Sequence, residues 1–243
     1  MTTAAVANAF LVDVDDTLLD NDRVAADLSH QLEVEGGPEC RDSYWAIFEQ
    51  LRAELGYADY LGALQRYRVQ FPRDSRVLVI SEYLVDYPFA MRLYPGALDA
   101  IAHMQQLGKV ILLTDGDVVF QPRKIHRSGL FDAVDGNVLI YIHKEEELED
   151  VERCYPADHY VLIDDKLRIL TAVKQKWRGR VTTVFPRQGH YAHDPKLLAN
   201  YPHADVTIER IADLLGYDLD ALVHSPDHDA RQPAQARKER SIA

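Results

Sequence analysis

Short apolar segments that end abruptly in acids, hydroxyls or an ammonium recur along this chain. Ala9, Phe10, Leu11 and Val12 run without a polar group into Asp13-Val14-Asp15-Asp16-Thr17. Residues 110–113 lead into Thr114-Asp115-Gly116-Asp117, 138–142 into His143-Lys144, and 160–163 into Asp164-Asp165. Short uninterrupted apolar runs of this kind read as strands buried on both faces, as in a parallel sheet. Between them, residues 97–107, 119–128, 145–153 and 167–177 space their apolar side chains as helices do, and Gly108 and Gly129 close the first two. A strand at 181–185, a strand at 205–208 and a helix at 209–215 complete the series. Strands alternating with helices predict an α/β fold, a doubly wound parallel sheet with helices on both faces. Right-handed crossovers then bring every strand's C-terminal end to one edge.

The rhythm breaks once, after the first strand. Residues 24–34, 42–55, 57–69 and 76–84 all carry helical spacing, punctuated by Gly36-Gly37-Pro38, Gly56 and Phe71-Pro72. The expected organisation is an α/β core made of residues 1–19 and 92–224, an inserted helical cap over 20–91, and a tail at 225–243 whose composition predicts disorder. The cap would leave and rejoin the core near 19–22 and 88–94.

With 243 residues, of which 47% are hydrophobic, the chain can bury a substantial core. Its net charge of −12 speaks against a nucleic-acid partner, which needs a basic footprint. It leaves room for a small phosphorylated substrate, because a site can be locally positive. There is no basic, apolar leader and no apolar stretch of roughly 18 residues, so a cytoplasmic protein without a membrane partner is expected. The two cysteines, Cys40 and Cys154, cannot make a disulfide framework and read as buried small hydrophobes. The sequence does not speak to oligomeric state.

At the shared sheet edge, acids, a hydroxyl and an ammonium converge. Asp13, Asp15 and Asp164 can supply the oxygen ligands of a hard cation. The cation, Lys144 and the Thr114 hydroxyl would neutralise a transferred phosphoryl group. A carboxylate nucleophile would split hydrolysis into two steps through an aspartyl phosphate.

The Asp13-Val14-Asp15-Asp16-Thr17 run after an apolar strand resembles the first motif of the haloacid dehalogenase (HAD) superfamily. The order continues with Thr114, a lysine, and the acidic pair Asp164-Asp165, and the resemblance covers residues 10 to about 215. It implies a Rossmann-like HAD core with a helical C1-type cap. It implies that Asp13 is the nucleophile and Asp15 the general acid/base, which also lends its main-chain carbonyl to the metal. Thr114 and Lys144 would hold the phosphoryl, and Asp164, with Asp165 beside it, would complete a Mg2+ site. The chain departs from the family pattern in three places: Glu145 follows Lys144 where many members have Pro, Ile163 precedes Asp164 where Gly is common, and Arg168 stands where many place another acid. Lys124 is the rival to Lys144. The resemblance favours Lys144, which follows a strand and precedes Asp164 by 20 residues.

The expected activity is Mg2+-dependent hydrolysis of a small phosphorylated metabolite. Three alternatives compete. A 2-haloacid dehalogenase of the same fold would usually lack the second aspartate, here Asp15. A phosphomutase would keep it. A non-enzymatic phospho-receiver would carry its acidic pair at the first strand and its acceptor later, the reverse of the order here. Among other polar residues, Asp20 and Asp22 are expected as caps of the first cap helix. His190, His193 and His203 are expected in loops without metal-ligand spacing. Tyr60, Arg66, Tyr67 and Arg68 are expected to cover the cap's helix surface, with a substrate contact as the competing role.

Overall fold

The computed structural model describes residues 6–224; the predicted disordered tail lies outside them. Six parallel strands form one sheet in the order β3-β2-β1-β4-β5-β6. In chain order the elements are β1 (Val6–Val12), α1 (Asn21–Leu55), α2 (Tyr60–Gln70), α3 (Arg76–Asp86), α4 (Ala97–Met104), β2 (Lys109–Asp115), α5 (Phe120–Ser128) and α6 (Leu130–Ala133). They continue with β3 (Val138–Tyr141), α7 (Leu148–Cys154), β4 (Ala157–Ile163), α8 (Leu167–Trp177), β5 (Val181–Pro186), α9 (Pro195–Asn200), β6 (Val206–Ile208) and α10 (Leu219–His224). Short 3-10 turns at Phe89–Arg92, Tyr191–His193 and Ile211–Gly216 fill the connections.

The apolar runs are central strands because both their faces are covered. Phe10 and Val12 point into a core shared with the helical insert and α4, whereas Ala9 and Leu11 point into a second core built on α7 and α8. Period-two alternation sends successive side chains to opposite faces, so both sets must be apolar. β1 pairs with β2 on one side and β4 on the other, which sets Asp13 between the ends of those two neighbours.

Gly36-Gly37-Pro38 separates two helical stretches of α1, as expected, but by a sharp kink rather than a loop: Gly37 sits outside helical geometry at φ 76° and ψ 179°. A single left-handed glycine absorbs the bend, and Pro38 restarts the helix where its missing N–H costs nothing. One expectation about helices needs correction. The helix expected at 145–153 starts only at Leu148, because residues 143–147 form two turns, from the Glu146 N–H to the His143 carbonyl and from the Glu147 N–H to the Lys144 carbonyl. Those turns bury Lys144 and Glu145. Cys40 is buried as expected, but Cys154 is only half-buried at the end of α7.

The helical insert leaves and rejoins the sheet through two segments that lie side by side. Leu19 bridges Leu93, the Asp20 N–H donates to the Arg92 carbonyl, and the Tyr94 N–H donates to the Leu18 carbonyl. Asp27 of α1 fastens this stem. Its Oδ2 accepts from Arg92 Nη2 at 2.6 Å and Nε at 3.0 Å, and also from the Tyr87 hydroxyl. Burial alone would push the Asp27 carboxyl up, but those donors hold it below the usual carboxylate range.

A group whose pKa is depressed by folding stabilises the native state above its unfolded pKa and loses that contribution as the pH falls. Asp27→Ala is therefore expected to cost about 1–3 kcal/mol at pH 7, a deficit that shrinks below about pH 4. Urea unfolding of both proteins at pH 7 and pH 3 checks this. An equal deficit at both values would mean that the fastening is not ionic.

Candidate active site

The sheet's C-terminal edge assembles the site. Asp13 follows β1 directly, and its N–H donates to the Ile163 carbonyl at 2.9 Å, which ties it to β4. Asp164, at the end of β4, is tied in the same way to the Val184 carbonyl of β5. Lys144 follows β3 and reaches back across β2. Its Nζ donates to Asp13 Oδ1 at 2.6 Å and to the Leu113 carbonyl at 3.0 Å, and lies 2.7 Å from Asp164 Oδ2. Asp115 Oδ1 accepts the Lys144 backbone N–H at 2.8 Å. Burial would lower the pKa of this ammonium, but Asp13, Asp164 and Asp115 reverse that and keep it charged.

One carboxylate oxygen each from Asp13, Asp164 and Asp165 lie within 4.8 Å of one another. Asp13 Oδ2 and both oxygens of Asp165 are buried and accept no hydrogen bond. Buried carboxylates without partners are costly, and burial pushes the Asp165 carboxyl well up. Such a trio fits a small, hard, oxygen-liganded cation. Asp165 therefore belongs to the acidic group as fully as Asp164 does.

Asp15 turns away from this trio into a cleft. Lys124 Nζ donates to Asp15 Oδ1 at 2.5 Å and to Asn21 Oδ1 at 3.0 Å, and Gln121 Nε2 reaches Asp15 Oδ2 at 3.4 Å. Thr114 is buried, and its Oγ1 accepts from Gln121 Nε2 at 3.0 Å. The two candidate lysines thus divide the acids between them, Lys144 holding Asp13 and Asp164 and Lys124 holding Asp15. Thr114 is joined to Asp15 through Gln121, a residue that sequence reasoning missed. Its one trace in the sequence is Gly116, where a Cβ would come within 2.7 Å of the Gln121 side chain.

Other residues come to the site from far along the chain. Asp20 caps α1, accepting the Arg23 N–H at 2.8 Å, as expected. Asp22 does not cap; it binds His190, through the His190 backbone N–H at 2.8 Å and the imidazole Nδ1. His190 lies in a loop as expected, yet it lines the cleft together with Asp16 and Asp22. A pairing across 168 residues leaves no local signature in sequence. Tyr60 lines the cleft and is buried, Tyr67 is buried with its hydroxyl on Asp74 at 2.8 Å, and Arg66 pairs with Glu54 on the surface. Two of the departures from the family pattern meet each other, Arg168 forming an ion pair with the buried Glu145.

The cleft holds about 500 Å³. Trp45, Phe48, Tyr60 and Phe120 give it an aromatic wall, and Arg52, Lys124, Lys166 and Arg168 bring positive charge into an otherwise acidic molecule. Asp16 lies below it in the left-handed region at φ 58°, accepting the backbone N–H groups of Asn21 and Asp22. Burial, with Asp22 and Asp15 close by, raises its pKa to about 7.

The geometry is that of an all-parallel α/β sheet with buried carboxylates clustered at the tips of its two central strands, β1 and β4. A profile of haloacid dehalogenase-like hydrolases matches residues 7–175, and the chain belongs to that family. A haloacid dehalogenase-like hydrolase of Burkholderia xenovorans LB400 is similar at 62% identity and a TM-score of 0.83, over 87% of this chain and 98% of that one. Two more distant structures share the fold. One is a haloacid dehalogenase-like family hydrolase of Xanthomonas campestris (19% identity, TM-score 0.60, 96% of this chain and 94% of that one). The other is the L-2-haloacid dehalogenase of Xanthobacter autotrophicus (16% identity, TM-score 0.58, 86% of this chain and 97% of that one). No curated protein matches the chain significantly. Among the described residues, no helix is long and apolar enough to cross a membrane.

The raised pKa of Asp16 has a direct consequence for stability. The native state binds a proton there that the unfolded chain has released, so stability falls as the pH rises from about 4 to about 7. Asp16→Asn retains an oxygen for both backbone donors and removes the charge. Without divalent cations, the variant should be more stable than the parent at pH 8, by on the order of 2–4 kcal/mol, and nearly equal to it at pH 4.5. Denaturant unfolding at the two values tests this; an offset that does not change with pH would show that Asp16 is not the titrating group.

Proposed function

We propose that this hydrolase is a Mg2+-dependent phosphohydrolase acting on a small phosphate monoester through phosphorylation of Asp13. One observation carries the reading: Asp13, Asp164 and Asp165 lie buried together with unpartnered oxygens, Lys144 stands against them, and a second acid, Asp15, follows two residues after Asp13. Asp13, Asp164 and Asp165, with the Asp15 main-chain carbonyl, would hold the cation. When bound, Mg2+ neutralises phosphoryl charge and helps to orient the group for in-line attack. Asp13, steered by Lys144, accepts the phosphoryl, and Lys144 offsets the charge that develops on its oxygens. Thr114 completes the cradle from the β2 side. Asp15 gives a proton to the departing alkoxide, and then takes one from the water that cleaves the aspartyl phosphate. The cleft volume suits a metabolite rather than a polymer, and its aromatic wall covers the apolar part of such a molecule.

Release of inorganic phosphate from a panel of sugar phosphates, nucleotides and phospho-acids should be seen with Mg2+ and be lost in excess chelator. Asp13→Asn should abolish turnover and leave the circular dichroism spectrum unchanged. Chloride release from a 2-haloacid, with every phosphate ester left intact, would instead assign the dehalogenase reaction.

Asp15 separates the two chemistries. A poor leaving alkoxide needs protonation and a nitrophenolate hardly does, and general acid help is typically worth about 10²–10⁴ in rate. Asp15→Asn is thus expected to lose most of its rate on alkyl phosphates and much less on a nitrophenyl phosphate. Equal losses on the two would remove Asp15 from the role of acid.

A further inference from the structure

Three lysines reach the site, and the ammonium groups of two of them are engaged in hydrogen bonds. Lys144 Nζ has Asp13 and the Leu113 carbonyl as acceptors, and Lys124 Nζ has Asp15 and Asn21. Lys166, the residue after the acidic pair, uses its backbone N–H on Asp164 Oδ1 at 2.8 Å. Its Nζ has no hydrogen-bond acceptor among the described residues. The nearest carboxylate oxygen is Asp165 Oδ1 at 4.0 Å, too far for a hydrogen bond. The ammonium lies 5.3 Å from the centre of the Tyr191 ring, whose hydroxyl is held by Arg52, and its side chain is 30% exposed and lines the cleft. An ammonium carries three donors, and a lysine serving only as counter-charge to Asp165 would close the remaining gap and use them.

On the phosphohydrolase reading, Lys144 and a divalent cation would offset Asp13, Asp164 and Asp165, while the Lys124 ammonium is held by hydrogen bonds to Asp15 and Asn21. Lys166 is the ammonium lining the cleft whose donors make no hydrogen bond among the described residues, so an entering phosphoryl group could take them up.

We propose that Lys166 is a second phosphoryl-binding residue, which donates to the nonbridging oxygens of the phosphate group alongside Lys144. The proposal rests on the phosphohydrolase reading and adds a ligand contact that the acids, Thr114 and Lys144 do not provide. Arg52 and Arg168, which also line the cleft and are paired with Glu49 and Glu145, are left for the body of the substrate.

The test is equilibrium binding of inorganic phosphate, in saturating Mg2+, to the full chain and its Lys166→Gln and Lys166→Arg variants, followed by calorimetry. Mg2+ binding is measured separately without phosphate. Loss of a charged donor is expected to weaken phosphate about 10–100-fold in Lys166→Gln. Lys166→Arg should recover most of that loss, and Mg2+ affinity should be retained or increased in Lys166→Gln. Unchanged phosphate affinity in Lys166→Gln would overturn the proposal. So would an equal loss of Mg2+ affinity, which would make Lys166 part of the acid site's scaffold. Should Lys166→Gln not fold, acetylation of the unmodified chain read by mass spectrometry replaces it. Phosphate should slow labelling at Lys166 relative to exposed lysines, and equal labelling with and without phosphate would refute the contact. If the unmodified chain binds no phosphate with Mg2+ present, the phosphohydrolase reading itself fails; binding that ignores Lys166 leaves that reading standing.

Discussion

A single buried ammonium organises this protein. Lys144 is 1% exposed, yet it lies within 2.7 Å of carboxylates from two different strands and donates to the backbone of a third. A charge so placed is tolerable only when paired, and removing one partner of a buried pair costs roughly 3–5 kcal/mol. The structure around it follows from that requirement. The chain after β3 must turn sharply to bring Lys144 inward, so α7 starts late. Asp13 and Asp164 must end adjacent strands, which the β1–β4 pairing ensures. Asp115 must stand at the end of β2 to accept the Lys144 N–H. The ammonium thus joins the tips of β1, β2 and β4 into one rigid edge.

Rigidity on that edge contrasts with the way the helical insert is attached. The insert joins the core through two strand-like segments and the Asp27–Tyr87–Arg92 fastening. A run of aromatic rings then continues the contact across the cleft. Phe48 lies 4.9 Å from Tyr60, Tyr60 lies 5.2 Å from Phe120 of α5, and Phe120 lies 5.5 Å from Phe89. Offset and tilted ring pairs of this kind hold two bodies together without demanding one exact orientation. Polar links run parallel to the rings. Lys124 joins Asp15 to Asn21, and Asn21 Nδ2 donates to the Tyr60 hydroxyl at 3.3 Å. Asp15 is therefore connected to the first residue of α1 and to the aromatic wall.

Glu145 and Arg168 illustrate how one departure can accommodate another. Glu145 is buried beside Lys144 and would be an uncompensated charge without a partner. Arg168, the second residue of α8, supplies that partner and binds the Lys144 loop to the helix that follows Asp164-Asp165. Two substitutions that look unrelated in sequence are one ion pair in space.

The strand ends were legible because each is a local pattern, an apolar run that stops at an acid, a hydroxyl or a lysine. That pattern alone determined the parallel sheet, its polar C-terminal edge, and the placing there of Asp13, Asp15, Thr114, Lys144 and Asp164, because buried strands must be apolar on both faces and crossovers in such sheets have one hand. The choice between Lys144 and Lys124 was not local. Both can reach the edge, and only the packing of α5 against the insert shows that Lys124 is taken by Asp15 and Asn21. His190 on Asp22, Gln121 between Thr114 and Asp15, and the Lys166 ammonium over the Tyr191 ring were likewise invisible. Sequence periodicity reports which face a side chain occupies. It does not report which of several donors reaches an acceptor more than a hundred residues away, and only the tertiary structure, by closing those distances to about 3 Å, decided that.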